Sequence, residues 1–220
     1  MTRTIRSACC LLLASLNAFA VQAQESAPAA GGEAGPISES GFVTIGGIEQ
    51  WITIRGASRD NPVILFVHGG PGNPMSRWSG ALYGDWESEF TIVQWDQRYA
   101  GKTYERNEPL TELTEQRLRE ANLTVDRLVR DGIEVSEYLR EHLGKQKIIL
   151  TGGSWGSVLG IHMARARPDL FHAYVGVSQL VDYERNLAAS YRLVLERAHE
   201  QDDTEAVTLL ESIGPPPWEE

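Results

Sequence analysis

One stretch constrains this chain more than any other: Ile148-Ile-Leu-Thr-Gly-Gly-Ser-Trp-Gly156. A short apolar run rich in β-favouring residues breaks into Gly152-x-Ser154-x-Gly156, and a helix-compatible stretch from Ser157 to Arg167 follows. That pattern requires a strand to turn directly into a helix and to present a serine hydroxyl at the tip of the turn. The glycines have a physical task. The serine backbone is held in a strained conformation, and side chains at the flanking positions would strike the adjoining strand and helix. The spacing marks Ser154 as a nucleophile and the backbone N–H of Trp155 as one donor to a developing oxyanion.

The surrounding pattern suits an α/β fold. Phe42–Ile45 and Ile48–Ile54 read as strands joined by a turn at Gly46-Gly47,. Pro62–Val67 and Thr91–Trp95 are continuous apolar runs, as in strands buried on both faces, and Lys147–Leu150 leads into the elbow,. Val125, Leu128, Val129, Gly132, Val135, Leu139 and Leu143 follow helical spacing, with Gly144 placed to cap the end,. Asp126/Arg130 and Arg127/Asp131 are expected as ion pairs on the wet side of that helix,. Ala173–Val177 is one more strand, and Asp182–Ile213 is helical and charged. A hairpin followed by alternating strands and helices implies a mostly parallel sheet covered on both faces.

The N-terminus has a different logic. Arg3 and Arg6 precede the apolar stretch Ala8–Ala20, and small residues follow through Ala23, which is the layout of a secretory signal peptide over residues 1–23,. An uncleaved N-terminal anchor is the alternative, although the apolar stretch is short for a bilayer. Residues 24–40 are small, polar and turn-rich, and read as a flexible leader, with structure beginning near Phe42,. The chain is expected to be exported, to the periplasm or outside the cell. Both cysteines, Cys9 and Cys10, fall in the signal, so processing leaves no disulfide or thiol nucleophile,. Loss of Arg3 and Arg6 with the signal takes the formal charge from −10 to −12. Such an acidic protein is a poor partner for nucleic acid, and no membrane contact, metal or cofactor is expected after signal cleavage.

Two further segments bear on chemistry. His68-Gly69-Gly70-Pro71-Gly72 directly follows the buried run ending at Val67. An oxyanion hole needs N–H groups on a compact backbone free of bulky side chains, and adjacent glycines after a strand provide that. Gln94-Trp95-Asp96-Gln97-Arg98 closes the next strand, where Asp96 and Arg98 could pair and brace the oxyanion loop.

His-Gly-Gly-Pro-Gly, Trp-Asp-Gln-Arg and Gly-Gly-Ser-Trp-Gly-Ser, in this order, resemble the proline iminopeptidase family of α/β-hydrolases, over roughly residues 42–218. The resemblance implies an α/β-hydrolase core over 41–178, a helical cap beginning at 179–220, Ser154 as nucleophile, and Gly70 and Trp155 as oxyanion donors. His68, Gly69, Pro71, Gly72, Asp96, Arg98, Gly152 and Gly156 are implied as supporting motif residues. It also implies a small peptide or aminoacyl amide as substrate, cleaved at its N-terminal residue through an acyl-enzyme. One departure is visible: the family usually has glycine after Trp-Asp-Gln-Arg, where this chain has Tyr99-Ala100-Gly101.

A serine hydroxyl needs a base, and the base needs a carboxylate to fix its tautomer. His162 lies in the helix that the elbow starts, His172 precedes a strand at the wrong end, and His199 sits in a charged helix. None suits the role, so the triad acid and histidine are not assigned. The expectation is the N-terminal portion of a hydrolase, inactive alone, with apolar surface and strand edges exposed. An esterase or amidase with the same machinery, and a non-catalytic binding protein of the same fold, are the alternatives. Oligomeric state is not legible.

Overall fold

The computed structural model describes residues 35–107, 116, 121 and 123–216. The expected signal segment, the leader up to residue 34 and Trp218-Glu-Glu220 lie outside the described residues.

Strands β1 (Ile37–Ile45) and β2 (Ile48–Gly56) form the antiparallel hairpin, with Ile45 opposite Ile48 across Gly46-Gly47 and Ile37 opposite Gly56. The leader expected over 24–40 is therefore too long. Ile37 is only 4 % exposed, so the turn-rich composition gives way to strand where an apolar residue finds a core position. Strands β3 (Val63–Val67), β4 (Thr91–Asp96), β5 (Ile148–Gly153) and β6 (Phe171–Val177) complete the sheet. Its order among the described residues is β1-β2-β4-β3-β5-β6; β1–β2 and β2–β4 are antiparallel, and β4–β3, β3–β5 and β5–β6 are parallel.

The helices are α1 (Ser79–Tyr83), α2 (Gly101–Asn107), α3 (Val125–His142), α4 (Trp155–Ala166), α5 (Tyr183–Glu200) and α6 (Thr204–Ile213). Thr124 caps α3 by accepting the Arg127 N–H at 3.1 Å, which satisfies one of the four donors a helix start leaves open. Leu128, Val135 and Leu139 of α3 join Leu159 and Met163 of α4 and Trp95 of β4 in the core. α3 and α4 cross at Gly132, where a Cβ would lie 2.6 Å from Met163 Sδ. Helix α4 begins at Trp155, earlier than expected, because the Ser157 N–H already bonds the Ser154 carbonyl at 2.9 Å.

One expectation about α3 fails. Asp131 is fully buried, and its pair with Arg127 at 2.6 Å lies inside the protein instead of on the wet side. No Asp126–Arg130 pair is present among the described residues.

The sheet's two faces differ. One carries α3 and α4. The other carries α1 and an aromatic group, Phe66, Tyr83, Trp86 and Phe90, with Phe66 and Tyr83 ring centroids 4.3 Å apart. Beyond that group a groove of about 760 Å³ runs over β3, β5 and β6, lined by Ile64, Phe66, Ile149, Val175 and Val177. Val175 and Val177 are 48 % and 54 % exposed, so apolar surface is open at the β6 edge as expected. Helices α5 and α6 follow as a pair tied by the Tyr191 hydroxyl to the Leu210 carbonyl at 2.9 Å.

Candidate active site

Ser154 sits between the last residue of β5 and the first of α4 with φ 50° and ψ −122°. A positive φ is costly for a residue with a Cβ, about 1–3 kcal/mol, and persists only where the surroundings over-determine it. Here they do. The Ser154 N–H donates to the Val177 carbonyl at 2.9 Å, and its own carbonyl accepts from the Ser157 N–H and, at 2.6 Å, from the Ser157 hydroxyl. Ser157 Oγ in turn accepts the Leu180 N–H at 3.0 Å. The Ser154 side chain is exposed and caps no helix donor, so its hydroxyl is presented to solvent at the C-terminal edge of the parallel strands.

The glycine pattern has a concrete cause at Gly156. A Cβ there would collide with the carbonyl oxygen of Val67 and lie 2.7 Å from that of His68, so only glycine lets α4 start directly beneath the loop that leaves β3. That loop passes over the elbow. A Cβ on Gly69 would be 3.3 Å from Ser154 Cβ and 3.6 Å from the Trp155 nitrogen. Gly70, at φ 113°, is exposed, and the Gly70–Pro71 peptide is cis. Pro71 and Gly72 form the exposed tip of the loop, and Gly152 is buried beneath the elbow. Among the described residues neither the Gly70 nor the Trp155 N–H has an acceptor. Free donors on the two segments that meet at Ser154, the residue after it and the residue after Gly69, form an arrangement able to receive an oxyanion,.

His68 locks this loop from behind. It is 5 % exposed. Its Nε2 accepts the Gln97 N–H at 3.2 Å, while Gln97 Nε2 donates to the His68 carbonyl at 2.9 Å. An accepting Nε2 places the proton on Nδ1, which lies 3.0 Å from the Gly69 carbonyl,. Burial pushes the His68 pKa below its ordinary value, against the opposing pulls of Gly69 and Asp96, so the ring is neutral. Gln97, which sequence reasoning passed over inside its own motif, is the residue that clasps the loop.

The expected Asp96–Arg98 brace does not form. Arg98 donates to Asp131 through Nε at 2.9 Å and to the Gly46 carbonyl at 2.9 Å. Asp131 also accepts from Gln50 Nε2 at 2.9 Å, and Gln50 Oε1 takes the Trp95 indole N–H at 2.7 Å. A fully buried carboxylate is expensive without partners, so Asp131 draws in the nearest guanidinium groups. Asp96 instead accepts the Lys102 N–H at 3.0 Å through Oδ2. Its Oδ1 is buried without a partner among the described residues, and burial raises the carboxyl above the ordinary range. Both residues do brace the site, separately: Asp96 holds α2, and Arg98 holds the turn after β4 to α3 and the β1–β2 turn.

No histidine hydrogen-bonds Ser154 among the described residues. His68 is engaged as above, and His142 Nε2 lies 2.6 Å from Glu39. His162 on α4, His172 near the start of β6 and His199 on α5 are exposed. Nor do three or more His, Cys, Asp or Glu gather to hold a metal among the described residues.

An exposed serine at a strained strand-to-helix elbow, beneath a glycine loop from the neighbouring parallel strand, defines a hydrolase-type site. A sequence profile of the alpha/beta hydrolase fold matches residues 62–212, and the chain belongs to that family. Within it the chain is proline iminopeptidase-like. It is 34 % identical over 178 residues to the probable aminopeptidase YbaC of Bacillus subtilis, covering 81 % of this chain and 53 % of that protein. To the proline iminopeptidase of Neisseria gonorrhoeae it is 32 % identical over 130 residues, covering 59 % of this chain and 36 % of that one. In three dimensions the proline iminopeptidase-related protein of Thermus thermophilus has the same fold. The TM-score is 0.54 at 22 % identity, over 78 % of this chain and 59 % of that one. The chain thus spans about half the length of the Bacillus protein.

Proposed function

We propose that this chain carries the nucleophile and oxyanion hole of an exported serine hydrolase of aminopeptidase type, acting on N-terminal aminoacyl amide bonds. The observation that carries the reading is the exposed, strained Ser154 at the elbow, with Gly69 packed against it and the Gly70 and Trp155 N–H groups unengaged. In this reading Ser154 Oγ attacks the substrate carbonyl carbon. The carbonyl oxygen gains negative charge and is received by the two N–H groups. Collapse breaks the C–N bond; the amine leaves with a proton, the acyl group stays on Ser154 as an ester, and water releases it. The similarity to aminopeptidases and proline iminopeptidases supports an aminoacyl substrate. The amino-terminal pattern of Arg3, Arg6 and Ala8–Ala20 supports export,.

Proton transfer is the missing part, since no described histidine reaches Ser154. The chain by itself is therefore expected to turn over slowly or not at all. Purified chain with a fluorophosphonate probe, and imidazole added as an external base, should be modified once, at Ser154, and Ser154→Ala should abolish the modification. Modification at another residue, or none, overturns the assignment. Turnover of proline naphthylamide by the chain alone at about 1–1000 per second, the usual range for enzymes, would overturn the claim that the base is lacking.

A further inference from the structure

The turn after β4 holds a backbone feature that the proposed chemistry leaves unused. The Ala100 N–H bonds the Gln97 carbonyl at 2.9 Å, so residues 97–100 form a β-turn with Arg98 and Tyr99 at its centre. Tyr99 has φ 61°. A turn with positive φ at its third residue favours glycine, because a Cβ is strained there. The other three residues of the turn are pinned: Gln97 is clasped to His68, Arg98 is held by Asp131 and the Gly46 carbonyl, and Ala100 is 2 % exposed. The turn can therefore keep a strained residue in place, and an outlier kept this way asks for a function.

The Tyr99 side chain has a definite place. It lines a pocket of about 350 Å³ with Tyr104, Leu123, Leu128, Pro71 and Trp155. The Tyr99 and Tyr104 rings lie 6.3 Å apart, tilted at 43°. Pro71 directly follows Gly70, and the backbone N–H of Trp155 is the other oxyanion donor, so the pocket is joined to the oxyanion hole at two points of the chain. The Trp155 indole N–H is buried and meets no acceptor among the described residues, so packing alone positions that ring.

We propose that Tyr99 is a specificity-determining residue, walling with Tyr104, Leu123 and Trp155 an apolar subsite that takes a nonpolar side chain of the aminoacyl substrate. The proposal rests on the reading of Ser154 as nucleophile, because that places substrate beside the pocket. Its test is binding, which needs no base. In ¹⁵N–¹H spectra of the full chain, the Trp155 indole signal, assigned by its loss in Trp155→Phe, is followed during titration with phenylalanine amide, leucine amide and glycine amide. Phenylalanine amide should shift that signal and bind about tenfold or more tighter than glycine amide, as expected for filling an apolar pocket. Tyr99→Gly, which relieves the strain and so should fold, should remove most of that preference, whereas Tyr99→Phe, which keeps the ring, should retain it. No shift at Trp155 with phenylalanine amide, or a preference unchanged in Tyr99→Gly, overturns the subsite. The Ser154 reading fails by a different result, absent fluorophosphonate modification, so the two failures are told apart.

Discussion

Strands β4 and β5 run parallel in one mixed sheet and both lead into the site, yet their surroundings differ. Every residue of β4 from Thr91 to Asp96 is buried. Strand β5 alternates: Ile148, Leu150 and Gly152 are buried, while Ile149, Thr151 and Gly153 are half-exposed toward the groove. Strand β6 goes further, with only Phe171 buried. Parallel strands normally have both faces covered, and β4 meets that rule because α3 and α4 lie on one side and α1 with its aromatic group on the other. The difference locates what holds Ser154 in place. Ser154 is fixed from the closed side, by α4, the β3 loop and the Gln97–His68 clasp, with one bond donated by its N–H to the Val177 carbonyl at the end of β6. The groove side contributes shape but little restraint.

Substitutions on the two sides should separate accordingly. The largest loss is expected at Asp131. Asp131→Ala leaves Arg98, Arg127 and Gln50 buried without their common acceptor, and should cost about 3–5 kcal/mol, read as a lower urea midpoint. A loss below about 1 kcal/mol would mean that the network is not what ties α3 to the turn after β4. Gly156→Ala comes next, at about 1–3 kcal/mol, because the added methyl meets the Val67 and His68 carbonyls,. It should also weaken fluorophosphonate modification of Ser154 more than its stability loss explains, since it forces the loop after β3 off the elbow.

A smaller effect is expected from acid. Burial sets the folded-state pKa of His68 below the ordinary 6.5, so the unfolded chain binds that proton more readily than the folded one. The stabilisation is fully present above about pH 6.5 and is lost as pH falls through the folded value. Asp96 runs the other way: its raised pKa stabilises the fold at low pH and is a cost once the carboxyl ionises,. Comparing denaturation midpoints at pH 7.5 and 5.5 should therefore give a loss on acidification that is smaller in His68→Gln. An equal loss in the variant would rule out the buried neutral ring. The smallest effect belongs to the open side. Val177→Ser should change stability by no more than about 0.5 kcal/mol, because the side chain is 54 % exposed; a loss above about 2 kcal/mol would mean that the groove is covered in solution.

Much of this arrangement is legible in the sequence. The strand before Ser154, the paired glycines after Val67 and the helical spacing from Val125 are local patterns, and each appears where the chain's own periodicity puts it. The order of three motifs was enough to indicate the family. What the pattern misjudged were partners. Nothing local distinguishes Asp131 from its wet-face neighbours, because its burial comes from the β1–β2 turn and the end of β4 arriving from more than thirty residues away. The Asp96–Arg98 pair was plausible from spacing, and failed because a fully buried carboxylate competed for the same guanidinium. Ile37 looked like leader because its strand partner, Gly56, lies across a hairpin.

The amino-acid sequence alone determined that a serine would stand at a strand-to-helix elbow, since glycine spacing and apolar periodicity are properties of neighbouring residues. Only the tertiary structure decided which groups surround that serine. It brought Gly69 over the elbow, turned His68 toward Gln97, and left all five histidines without a bond to Ser154 among the described residues. Those are contacts between distant segments, and they are set by which surfaces pack, which no local pattern encodes.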